Sequence, residues 1–152
     1  MKIIVSLILF SVSICVASGQ STKLRKANFN LRKDLALDGY DAVSYIDGKP
    51  RKGDSRFKMN YKDIVYHFAS ASNLDRFKAN PDKFEPAYGG WCAYAMGESG
   101  EKVKVDPETF KIIEGRVYLF YNFWGNNTLE SWNKEEKKLK QMADHNWIDI
   151  VR

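Results

Sequence analysis

Phe57, Met59 and Tyr61 alternate with Lys58, Asn60 and Lys62, the period of two expected of a strand with one buried face. A turn at Lys62-Asp63 leads into Ile64-Val65-Tyr66-His67-Phe68, which puts Ile64, Tyr66 and Phe68 on one face and Val65 with His67 on the other. A second hairpin is predicted from Phe110-Lys111-Ile112-Ile113 and Val117-Tyr118-Leu119-Phe120-Tyr121 around Glu114-Gly115-Arg116, with Asp106-Pro107 opening a single turn before it. Ala42-Val43-Ser44-Tyr45-Ile46 has the composition of a short strand, closed by Asp47-Gly48-Lys49-Pro50.

Helical spacing appears in two places. Ser72 and Asp75 are placed like a capping box, Leu74 and Phe77 lie about one turn apart, and Pro81 stops the helix. From about Thr128 to His145, Leu129, Trp132, Leu139 and Met142 form an apolar stripe, and Glu130 and Glu136 stand four residues before Lys134 and Lys140. The fold expected is α+β: small antiparallel hairpins packed with short helices and a C-terminal amphipathic helix.

The stretch Tyr88-Gly89-Gly90-Trp91-Cys92-Ala93-Tyr94-Ala95-Met96 follows neither period. Paired glycines allow positive φ or a close approach, and Trp91 and Tyr94 read as aromatic anchors. If the segment is helical, Tyr88, Cys92 and Met96 share a face, and Gly97 to Gly100 ends it.

The amino-terminal residues change the picture. Met1-Lys2, the apolar run Ile3 to Ala17, and Ser18-Gly19-Gln20 have the three sections of a secretory signal peptide. We therefore expect a signal peptide over 1–19, a flexible polar spacer over 20–34, one domain over 35–152, and an exported product, periplasmic or secreted. The run is shorter than the roughly 20 residues that span a bilayer, so no transmembrane segment is expected after cleavage. Cleavage removes Cys15 and leaves Cys92 as an odd thiol; the alternative is a lipoprotein anchored through Cys15. The net charge of +5 is spread along the chain among acids, which argues against a nucleic-acid partner. Asn126-Asn127-Thr128 fits a glycosylation sequon.

Tyr66-His67-Phe68-Ala69-Ser70-Ala71-Ser72-Asn73-Leu74-Asp75-Arg76-Phe77 with Asn80-Pro81-Asp82-Lys83-Phe84 resembles the core of the YHS domain. Leu37-Asp38-Gly39-Tyr40-Asp41 and Tyr88-Gly89-Gly90-Trp91-Cys92-Ala93-Tyr94-Ala95 resemble its larger exported variant, so the similarity runs over most of residues 35 to 147. The resemblance implies a heavy-metal-binding module, because the short form carries cysteines. Here the positions of those cysteines fall at about Ser44 and at Ala69 and Asn73, with no thiol at any of them.

The candidate chemistry rests on Cys92. A lone thiol in an oxidising compartment is buried, bound or reactive. If it binds metal, Cys92 thiolate, His67 imidazole and Met96 thioether form a soft set that favours Cu(I), with Zn(II) second. His145 reads as a surface residue near a helix end. No phosphate loop, nucleophile elbow or zinc-protease motif is present. The expectation is an exported non-enzymatic binding module, with copper as the candidate cofactor. The alternatives are a thiol-dependent redox enzyme, with His67 and Asp41 as the partners of Cys92, and a protein-interaction module with no metal.

Overall fold

The computed structural model describes the backbone from residue 15 and side chains from residue 22, through Arg152. The expected signal peptide lies outside the described residues, apart from backbone that belongs to α1 (Cys15–Asn28). The fold is α+β, as the two periods predict.

One sheet has the order β1-β2-β4-β3, built from β1 (Leu31–Arg32), β2 (Leu35–Ala36), β3 (Asp54–Tyr61) and β4 (Ile64–Phe68). β3 and β4 form the expected hairpin, with Met59 opposite Tyr66 and Lys58 opposite His67. Ile64, Tyr66 and Phe68 are buried on one face of β4, as their alternation requires. The second hairpin joins β5 (Asp106–Ile113) to β6 (Arg116–Phe120). Asp106-Pro107 does not form a separate turn. It begins β5, with Asp106 paired to Phe120 and an irregularity in register before Phe110.

Ala42–Ile46 is a helix, α2, and not the strand its composition suggested. The reason is local: the carboxylate of Asp41 accepts hydrogen bonds from the backbone N–H groups of Val43 and Ser44, which caps the first turn and outweighs β propensity. α3 (Ala71–Ala79) is present, but its cap is Ser70, whose hydroxyl accepts from Asn73 N, and not Ser72. α4 (Pro81–Phe84) follows directly, with Pro81 in its first turn.

The C-terminal helix is divided into α6 (Thr128–Lys134) and α7 (Glu136–Val151). Glu135 leaves helical geometry at φ −136°. The break lets fully buried Trp132 face Tyr118 and Phe120, while Leu139 and Ala143 are buried further along α7. α5 (Ala93–Glu98) lies against α7 so closely that a Cβ at Gly97 would stand 2.5 Å from the Leu139 carbonyl oxygen. A glycine is required there by space.

Residues 20–34, expected as a spacer, include α1 and β1, which pack on the domain. Phe29 is buried, and Arg25 pairs with the buried Glu85, which also accepts the Tyr66 hydroxyl at 2.5 Å. Asn30 N donates to Gly89 O and Asn30 Nδ2 to Gly90 O, which ties this segment to the glycine stretch. The core that organises the domain therefore begins before Leu35.

Candidate functional site

The residues singled out from the sequence separate into buried and outward-facing groups. Cys92 immediately precedes α5, and Met96 N donates to its carbonyl; both side chains are fully buried. The Cys92 sulfur accepts the Tyr121 N–H at 3.4 Å and lies 3.4 Å from the Thr128 hydroxyl. Its backbone bridges to Leu119 and to the Val103 carbonyl, so it knits the glycine stretch to β6. His67 projects from the half-buried face of β4, opposite Tyr66 and Phe68, whose cluster is separate from the one that holds Met96. Among the described residues, no group of three His, Cys, Asp or Glu side chains is arranged to hold a metal ion.

Tyr88 does not share a helix with Cys92, because Tyr88 and Gly89 have φ of 52° and 60° and α5 starts only at Ala93. Tyr88 is the buried ring of this stretch, with its hydroxyl donating to Asp144 at 2.9 Å. Trp91 and Tyr94, read as anchors, are half-buried. Trp91 Nε1 donates to the Asn28 carbonyl at 2.6 Å, so this ring clamps the end of α1.

Asp41 is fully buried beneath the α2–α3 corner. Besides its caps, its second oxygen accepts from Ala69 N at 2.8 Å and from Asn73 Nδ2 at 2.6 Å. A buried carboxylate with this many donors is a structural knot joining two helices to the end of β4.

An apolar cavity lies elsewhere, and the periodicity of the chain does not show it. About 350 Å³ in volume, it opens between β1, the loop before β5, and β6. Its apolar lining includes Leu31, Leu37, Val105, Leu119 and Phe123. Gly90 closes one side, held by Asn30. Such a volume lies within the range of small-ligand sites.

Phe123 belongs to a hairpin of β7 (Asn122–Phe123) and β8 (Asn126–Asn127) joined by Trp124-Gly125. Both turn residues are left-handed, at φ 52° and 78°, the geometry that matches strand twist in a two-residue turn. For tryptophan this conformation is costly, and the result is a side chain 94% exposed. Tyr121, Phe123 and Trp124 form a ring cluster, with centroids 5.1 to 6.4 Å apart. Leu37 and Asp38, which also line the cavity, are left-handed too, at φ 56° and 50°.

The rim carries Arg32, Lys104 and Asp38. Asp38 accepts from Arg32 at 2.9 Å and from Lys52 at 3.2 Å. Burial opposes its charge, but those two cations win and hold its carboxyl below the usual carboxylate range. Lys104 is exposed and has no ion-pair partner among the described residues. The one sequence signal for this site was a Phe-Trp pair set directly before Gly125 in an otherwise polar turn.

Compared with known proteins, the chain matches no family model, no curated protein and no solved structure.

Proposed function

We propose that this chain is an exported, non-enzymatic binding module of YHS type whose binding face is the aromatic hairpin at Phe123 and Trp124 together with the cavity beneath it. The observation that carries the reading is that Trp124, the most exposed of the large apolar side chains among the described residues, stands next to Phe123, which lines an apolar cavity of about 350 Å³. A large exposed ring beside a preformed pocket favours recognition, because binding removes both apolar surfaces from water.

The YHS resemblance is supported by one convergence. Ser44, Ala69 and Asn73, where the short form would carry thiols, meet around Asp41: Ser44 N, Ala69 N and Asn73 Nδ2 all donate to its carboxylate. In this chain the corner is held by a carboxylate and its donors. That moves the search for a ligand away from the corner and toward the aromatic hairpin. The copper reading rests on Cys92 and Met96, both buried, with His67 on the half-buried face of β4, so the geometry favours the hairpin over the thiol.

The test uses 1-anilinonaphthalene-8-sulfonate, an apolar anionic dye. Folded protein should bind it saturably at one site, and Val105→Trp, which fills the cavity, should abolish binding at unchanged thermal midpoint. Absence of binding to the folded protein, or equal binding by Val105→Trp, overturns the reading.

A further inference from the structure

The walls and rim of the same cavity differ in chemistry, and that difference names a ligand class. The lining is apolar on the side of Leu31, Leu37, Val105 and Leu119, while Arg32 and Lys104 stand at its edge. Asp38 is the acid on this rim, and it already accepts from Arg32 and Lys52. Lys52 also donates to that carboxylate, so three cations face one acid and leave the rim net positive, and Lys104 has no ion-pair partner among the described residues.

Building on the binding-module reading, we infer that the cavity takes a small amphipathic carboxylate, such as a medium-chain fatty acid, with its chain among the leucines and its head at Lys104 and Arg32. A net positive rim suits an anionic head. A guanidinium and an ammonium lining one cavity suit a planar carboxylate, which the Arg32 fork can meet with one N–H while another holds Asp38. The apolar chain buries against Leu119 and Phe123.

A peptide carboxy terminus shares this head chemistry, but it needs backbone partners along a track. Of the strands at the pocket, β1 presents Leu31 and Arg32, while β5, β6 and β7 present one residue each, Pro107, Leu119 and Phe123. Two residues of edge offer too few main-chain hydrogen bonds for strand addition. A free acid needs none.

Calorimetric titration of the purified protein decides it, with hexanoate, octanoate, decanoate and decyltrimethylammonium as probes. We expect saturable one-to-one binding of the acids that tightens roughly fourfold for each added methylene until the cavity is full. Decyltrimethylammonium, with a tail one methylene longer than that of decanoate and the opposite charge, should still bind at least about tenfold more weakly. Lys104→Gln should weaken decanoate binding about fivefold and leave decyltrimethylammonium no weaker; Lys104 is exposed, so the thermal midpoint should not move.

Equal binding of decanoate and decyltrimethylammonium, or no effect of Lys104→Gln, overturns the carboxylate assignment while leaving a site that still takes the dye. Tighter binding of a pentapeptide ending in free valine than of any acid overturns the small-molecule assignment in favour of a peptide. Failure of both acids and dye removes the underlying binding reading as well.

Discussion

The sulfur of Cys92 lies 3.4 Å from Oγ1 of Thr128, which follows it by 36 residues and donates its own proton to the Tyr121 carbonyl at 2.9 Å. Tyr121 returns its N–H to the same sulfur. The thiol is thus a bolt between the glycine stretch, the end of β6 and the start of α6, and its immediate polar neighbours are a hydroxyl and a backbone amide.

That arrangement predicts slow chemistry. Iodoacetamide near neutral pH should leave Cys92 in native protein unmodified over hours and alkylate it at the rate of a free thiol in denaturant. Rapid modification of the folded chain would instead indicate an accessible, activated thiol and revive the redox reading.

Gly97→Ala should destabilise the fold by about 1 to 3 kcal/mol, as overpacking does where neither side can retreat. The added Cβ would meet the Leu139 carbonyl at 2.5 Å, and that backbone belongs to α7. Urea denaturation measures it; an unchanged midpoint would mean that α5 and α7 are less closely apposed than described.

Asp41→Asn should cost about 3 kcal/mol, because the amide presents N–H groups to a site built from donors. The amide keeps one oxygen, so the loss falls either on Val43 N and Ser44 N or on Ala69 N and Asn73 Nδ2. Asn73→Ala, which removes one donor and leaves the carboxylate, should cost less. A reversed order of the two midpoints would show that the corner does not depend on the charge.

These two predictions separate what could be read along the chain from what could not. Both long hairpins were legible: alternation along Phe57–Tyr61 and Ile64–Phe68 reports burial directly in the first, and the apolar runs on either side of Glu114-Gly115-Arg116 mark the second. α2 was not, because Val43, Tyr45 and Ile46 look like strand residues and only the cap by Asp41 makes them helical. The break at Glu135 was hidden for a related reason: the stripe continues through it, while Trp132 and Leu139 are buried against different partners. The binding cavity was hidden by distance in sequence. Leu31, Val105 and Leu119 meet only after three separate elements pack, and the segment holding Leu31 looked too polar to belong to the domain.

Alkaline pH should unfold the protein. Burial pushes the Tyr45 phenol up; burial and the adjacent Glu85 do the same for Tyr66, and burial with the bond to Asp144 for Tyr88. In each case the folded value lies above the unfolded one near 10, so the stabilisation is complete below about pH 10 and is lost as pH rises beyond it. Absorbance at 295 nm should show these tyrosines titrating only together with loss of the near-ultraviolet circular dichroism signal. Titration of all the tyrosines in a folded chain would contradict their burial.

The measurement closest to the central claim is amide chemical-shift mapping of the folded protein, titrated separately with the anionic dye and with Cu(I). The account predicts that the dye moves the amides of Leu31, Val105, Phe123 and Gly125, that Val105→Trp suppresses those shifts, and that Cu(I) leaves Cys92 and Met96 in place. Dye shifts scattered away from the hairpin, or a saturable Cu(I) response centred on Cys92 and Met96, would contradict it.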